Sequence, residues 1–202
     1  MKIKHIETLI ARGSFSTSRE WKKIRRIILH AVKNVSWPPR SGKFTIYPES
    51  GKKRGKGNGV VPIKSGLLVE LGALGWKSEI ALPIAVHMRP GELDIGFETP
   101  YGVVVIEWET GNVSSSHRAL NKMALGLLRG QLAAGILIVP SREFAKFLTD
   151  RIGNFPELQP YFDLWRSIPC ESGILEVIVI EHDATSLKVP RIPKGTDGRA
   201  QA

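Results

Sequence analysis

The chain has 202 residues, enough for one domain with a good core. Its 29 Lys+Arg against 19 Asp+Glu leave a formal net charge of +10, which suits a polyanionic partner, most simply nucleic acid, although composition alone leaves a merely soluble basic protein equally open. The single cysteine, Cys170, excludes an internal disulfide and a cysteine-rich zinc site and fits a reducing cytosol, and no apolar run is long enough for a signal peptide or a membrane span.

Residues 1–13 mix apolar and basic side chains and open the chain as a short helix or strand. Ser16, Thr17 or Ser18 can cap a helix from about Arg19 to Val35. Trp21, Ile24, Ile27, Ile28 and Ala31 form its apolar stripe; Lys22, Lys23, Arg25, Arg26 and Lys33 form its wet face. Trp37-Pro38-Pro39 stops it. Residues 40–59 are Gly-rich and basic, with Lys52, Lys53, Arg54 and Lys56 crowded together. They read as a mobile loop, able to close over a phosphate backbone or simply solvated. A helix is predicted over 62–76, with Leu67, Leu68, Leu71 and Leu74 apolar and Glu70 among them, and an extended segment over 79–86.

Gly91 to Arg118 is the organising stretch. Thr99-Pro100-Tyr101-Gly102 is a tight turn. Before it, Leu93, Ile95 and Phe97 alternate with Glu92, Asp94, Gly96 and Glu98; after it, Val104, Ile106 and Trp108 alternate with Val103, Val105, Glu107 and Glu109. Period two is the strand signature. A hairpin centred between Pro100 and Tyr101 sets Asp94 opposite Glu107 and Glu92 opposite Glu109. Like charges directly opposed destabilise a sheet, so an acidic face of this kind calls for a hard divalent cation.

Beyond the hairpin, a loop feeds a helix of roughly 116–129 buried through Leu120, Met123, Ala124, Leu127 and Leu128, with Lys122 and Arg129 exposed beside it. LAAGILIV, 132–139, has the continuous apolar character of a strand covered on both faces. Ser141 caps a helix predicted to run to Gly153, packed through Phe144, Phe147, Leu148 and Ile152. A helix over 161–168 and a strand over 174–181 follow. The order implies an α/β fold, a mixed central sheet with helices on both sides. It divides into a single domain, residues 1–185, and a flexible basic tail, 186–202.

Phosphodiester hydrolysis needs an activated water, charge neutralisation at the phosphate and help for the leaving alkoxide, and divalent metals supply all three. Oxygen ligands suit Mg²⁺. Asp94 and Glu107 are placed to hold such ions, with the carbonyl of Trp108 as a third ligand; Glu109, two residues on, can take a proton from the attacking water. His87 and His117 read as structural.

These residues resemble a known family. Asp94 followed by Glu107-x-Glu109 is the pattern of PD-(D/E)xK nucleases in the variant where Glu replaces the usual Lys. The longer run from Ile106 through Glu107-Trp108-Glu109-Thr110-Gly111-Asn112-Val113-Ser114-Ser115-Ser116-His117-Arg118, then Asn121-Lys122, is similar to the core of BamHI-type type II restriction endonucleases, with BglII- and BstYI-type enzymes more distant. The resemblance covers about residues 58–145. It implies metal binding by Asp94 and Glu107, a general base at Glu109, and an upstream acid at Glu79, with Glu70 as the fallback. It also implies major-groove contacts from Asn112, Ser114, Ser115 and Arg118, and a second recognition stretch at Ser141-Arg142, where Ser141 replaces the relatives' acidic residue. The expected protein is a cytoplasmic, prokaryotic homodimer that uses Mg²⁺, with Mn²⁺ as a substitute, to cut double-stranded DNA at a short palindrome with a GATC-like centre, leaving 5′-phosphates. A structure-specific repair or junction nuclease of the same fold and a non-catalytic DNA-binding protein are the alternatives.

Overall fold

The computed structural model describes residues 1–52, 55–81, 93–109, 111–149 and 152–194. Its first strand, β1 (Lys2–Arg12), runs antiparallel to its last long strand, β7 (Gly173–Glu181). Between them in sequence come α1 (Gly13–Thr17), α2 (Arg19–Asn34), β2 (Thr45–Ile46), α3 (Val61–Gly72), β3 (Lys77–Ile80), β4 (Leu93–Thr99), β5 (Gly102–Trp108), α4 (Val113–Leu128), β6 (Leu132–Pro140), α5 (Arg142–Ala145), α6 (Phe155–Leu158), a 3-10 turn (Gln159–Tyr161) and α7 (Phe162–Arg166). A short β8 (Ala184–Thr185) pairs with β2. The main sheet has the order β1-β7-β6-β5-β4-β3; β5, β6 and β7 are parallel and the other neighbours antiparallel, so it is the mixed sheet expected.

Both faces of the sheet are covered, as the apolar runs of β6 and β7 require. On one face Val104, Ile106, Trp108, Ile136, Ile138, Ile174 and Ile178 pack with Trp21, Ile24 and Ile28 of α2 and Ile63, Leu67 and Leu71 of α3. On the other, Val105, Leu137, Leu175 and Val177 pack with Leu120, Met123 and Leu127 of α4 and Phe162 and Trp165 of α7. The part of the hairpin that carries Val105 and Glu107 is therefore roofed by α4, while Glu98 stays exposed. Gly135 lets the roof come close: a Cβ there would lie 2.7 Å from the Cβ of Met123.

Four expectations change. β1 is an eleven-residue strand rather than an undecided segment. The helix after Ser141 stops at Ala145, where Phe147 N and Leu148 N close short turns onto Phe144 O and Ala145 O, and the next carbonyls, of Lys146 and Phe147, accept Gly51 N at 2.9 Å and Asn58 N at 2.8 Å. The helix predicted over 161–168 is the shorter α7, Phe162–Arg166, and it is preceded by α6 and a 3-10 turn holding Pro160, which the sequence reading did not include. The basic loop and the start of the tail are tied together: Asn58, wholly buried, donates through Nδ2 to Tyr47 O and Phe147 O and accepts Ile192 N on Oδ1. Trp37 Nε1 donates to Pro190 O at 2.9 Å and Ile192 is buried, so residues up to Ile192 belong to the packed body. Lys53, Arg54, His87, Glu92 and residues 195–202 lie outside the described residues.

Candidate active site

The hairpin adopts the expected register, with Ile95 opposite Ile106 and Thr99 opposite Gly102. Beyond Ile95–Ile106 side chains take over from the ladder. Asp94 N donates to Glu107 Oε2 at 2.9 Å, and Trp108 N donates to Asp94 Oδ2 at 2.8 Å. Each carboxylate thus holds a main-chain N–H of the opposite strand, which brings the two acids face to face and fixes both.

Each is also met by a lysine. Lys64 of α3 forms an ion pair with Asp94 Oδ1. Lys122 of α4 reaches Glu107 Oε1 at 3.2 Å, and only 7% of its side chain is exposed. The sequence reading placed Lys122 on an exposed face; the structure corrects this and turns it into the site. The signal was present in α4: its neighbours three back and four on are Ala119 and Gly126, both small and buried. Nothing local marked Lys64, which flanks the buried Ile63 and Leu67 and meets Asp94 only through the tertiary fold.

Glu109 follows at the end of β5. Its Oε1 accepts Gly111 N at 2.7 Å, and a Cβ at Gly111 would sit 2.7 Å from that same oxygen. Burial, above all, raises the pKa of Glu109; the charges of Glu107 and Asp94 add to the rise, while the Gly111 bond and the Arg118 charge oppose it. Glu107 is also raised, first by burial and then by Asp94, with Lys122 pulling the other way. Three carboxylates therefore feel one another at one strand end.

The N-terminus of α4 opens beside them. Asn112 caps it, accepting Ser115 N on Oδ1 at 3.2 Å. Ser114 and Arg118 are exposed, and Ser115 is half-buried. Arg142 is exposed at the start of α5, but Ser141 is buried: its hydroxyl donates to Glu181 and also caps Phe144 N. Glu79 is exposed in β3 with a left-handed φ of 56°, opposite the Asp94 end of β4. Glu70 is exposed and accepts Asn34 Nδ2 at 3.0 Å on the α2 side. His117 packs its ring edge-on against Tyr161 at 4.5 Å.

An acidic strand end beside a capped, Arg-bearing helix start, in a basic α/β chain, has a match among known proteins: the family described as restriction endonuclease BamHI matches residues 1–199. The chain belongs to the BamHI family. It is 46% identical over 200 residues to the type II restriction enzyme OkrAI of Oceanobacter kriegii, covering 99% of both chains. It is 37% identical over 172 residues to the type II restriction enzyme BamHI of Bacillus amyloliquefaciens, covering 82% of this chain and 76% of that one. The fold is shared with the crystal structure of the restriction endonuclease BglII complexed with a DNA 16-mer, at TM-score 0.62 and 13% identity over 95% of this chain and 88% of that one. Free BglII gives TM-score 0.51 at 15% identity, over 91% and 81%.

This BamHI-family chain is a type II restriction endonuclease, an enzyme that cleaves DNA sequence-specifically. Enzymes of this type use a divalent metal ion, and the donors here fit one. Among the described residues no three carboxylate, imidazole or thiol groups converge on a ready-made cage. A hard cation that keeps part of its water shell needs fewer protein ligands, and Asp94, Glu107 and a main-chain carbonyl are all hard oxygen donors. No helix among the described residues is long and apolar enough to cross a membrane.

Proposed function

We propose that Asp94 and Glu107 hold Mg²⁺, with Mn²⁺ as a substitute, that the Trp108 carbonyl completes the protein ligands, and that Glu109 is the general base. The observation that carries this is the interlocked pair: two carboxylates, each fixed by the other's strand, with a third buried carboxylate two residues on. A metal bound there supplies charge neutralisation at the phosphate and a more acidic water. The chain's own part is orientation and proton transfer. Trp108 N and Asp94 N aim the two ligands, Lys122 opposes the rise in the Glu107 pKa that burial and Asp94 cause, and Gly111 N fixes Glu109. Burial raises the pKa of Glu109, so its carboxylate form is a stronger base. Glu79 is the upstream acid, on the adjacent strand opposite the Asp94 end of β4.

Asn112, Ser114, Ser115, Arg118 and Arg142 read base edges in the major groove, where Asn and Arg make bidentate contacts. Ser141, held by Glu181, acts at this second stretch by fixing the start of α5 beneath Arg142. The double-stranded target is a short palindrome with a GATC-like centre, as the resemblance to BamHI-type enzymes implies, and the products carry 5′-phosphates and 3′-hydroxyls. Cutting both strands of a palindrome calls for a symmetric homodimer. Tyr161 and Leu164, exposed and apolar beside α4, supply a surface for it. The enzyme acts in the prokaryotic cytoplasm, which suits its one buried thiol, Cys170.

The test is a Mg²⁺ digest of mixed-sequence plasmid DNA followed by sequencing of the fragment ends. The expected result is discrete fragments sharing one palindromic end sequence, and none from Asp94→Ala or Glu107→Ala proteins that still bind DNA. Full cleavage by either variant refutes the site; random ends refute sequence-specific action.

A further inference from the structure

The two lysines at the carboxylates differ in how firmly they are held. Lys122 is enclosed by α4 and β5, with 7% of its side chain exposed. Lys64 stands on α3 with 40% of its side chain exposed, and its long stem can swing away. The partner oxygens differ as well. Asp94 Oδ2 is already committed to Trp108 N, so the Lys64 ammonium sits on the one oxygen of Asp94 that main-chain bonding leaves over. A divalent ion that takes Asp94 as a ligand must compete with that ammonium for Oδ1. Three carboxylates in mutual reach otherwise repel one another, which is the energetic need a displaceable cation meets.

We infer that Lys64 is an exchangeable counter-cation: it neutralises Asp94 in the metal-free enzyme and surrenders Oδ1 to the divalent ion. Lys122 is its fixed counterpart, a positioning residue for Glu107. The inference rests on Asp94 being a metal ligand. Lys64 therefore sets the affinity for metal by opposing it, the reverse of what a supporting residue would do. The ion pair is half-exposed and its loss is a modest effect, so the expected gain in metal affinity is small but measurable.

The experiment is calorimetric titration of Ca²⁺ into the full-length protein without DNA, comparing wild type, Lys64→Met, Lys64→Arg and Asp94→Asn. Lys64→Met is expected to bind Ca²⁺ roughly twofold to fivefold tighter, the scale of an exposed ion pair. Lys64→Arg keeps the positive charge and is expected to bind as wild type does. Asp94→Asn is expected to lose the tight heat signal. Unchanged or weaker binding by Lys64→Met, with Asp94→Asn still defective, overturns the exchange role alone. Wild-type binding by Asp94→Asn overturns the metal site and the inference with it. Lys64→Arg binding as tightly as Lys64→Met overturns the inference, since charge is then not the cause.

Discussion

Asp94 and Glu107 each accept a hydrogen bond from the strand that carries the other, Glu107 from Asp94 N and Asp94 from Trp108 N. The two side chains replace the ladder where the hairpin stops pairing. Their geometry is thus set by the backbone and exists before any metal arrives. For the metal site proposed above, such preorganisation keeps the cost of ordering the ligands out of the binding step.

Asp94 has a structural role apart from the metal-binding one proposed for it. Asp94→Asn retains an oxygen for Trp108 N and should fold with wild-type stability. Asp94→Ala leaves that N–H without its acceptor and should cost on the order of 1–3 kcal/mol in urea unfolding. Equal midpoints for the two variants would contradict this.

Lys122 lowers the pKa of Glu107 against the burial and the Asp94 charge that raise it. Lys122→Met removes the lowering partner, so Glu107 must ionise at still higher pH. The acid limb of the single-turnover cleavage rate should move to higher pH, with little change on the alkaline side. A profile superimposable on wild type would show that Lys122 does not act through Glu107.

Gly111→Ala puts a methyl group 2.7 Å from Glu109 Oε1. The carboxylate end is flexible and will swing aside, so the cost falls on alignment rather than on folding. A displacement of about 1 Å in a catalytic group costs roughly 10²-fold in rate. We expect that order of loss in cleavage with DNA affinity retained, measured by single-turnover digestion beside a binding titration.

Burial and two neighbouring carboxylates raise the folded-state pKa of Glu109. A raised acid contributes stability that is present below its unfolded pKa and is lost as pH rises through the folded value. In chelator, ionising Glu109 therefore opposes folding. Glu109→Gln should melt higher than wild type at pH 7 to 8, and the difference should vanish as the pH falls below the ordinary carboxylate value of 4.5. Glu181 has the opposite sign. Burial works against its charge, but His182 and Ser141 hold it down to about 2, so its contribution is lost as the pH falls from 4.5 toward 2.

Ile192 is 1% exposed, and its N–H binds the buried Asn58. Ile192→Ala should destabilise by about 2–5 kcal/mol, the range for emptying a core position. A freely moving tail would show no effect in the same urea titration.

Much of the acidic strand end was readable because it depends on local rules. Period two gave the hairpin its faces, and the Pro-Tyr turn gave the register that puts Ile95 opposite Ile106. β1 was not readable as a strand because register shifts at Ile3/His5 and Thr8/Ile10 break its alternation. The tethering of residues 40–59 depends on carbonyls claimed by distant N–H groups, which no local pattern reveals. Lys64 was hidden for the same reason: its partner is thirty residues away, on another element.

The pairing of β1 with β7 has a consequence for biosynthesis. β1 is made long before its hydrogen-bonding neighbour, Gly173 to Glu181, which lies near the other end of the described residues. Such remote pairings are slow to form, because the loop must close before any contact rewards it. β1 therefore cannot take its place in the sheet until β7 has been made, and a product truncated before Gly173 would leave β1 and β6 without the strand that joins them.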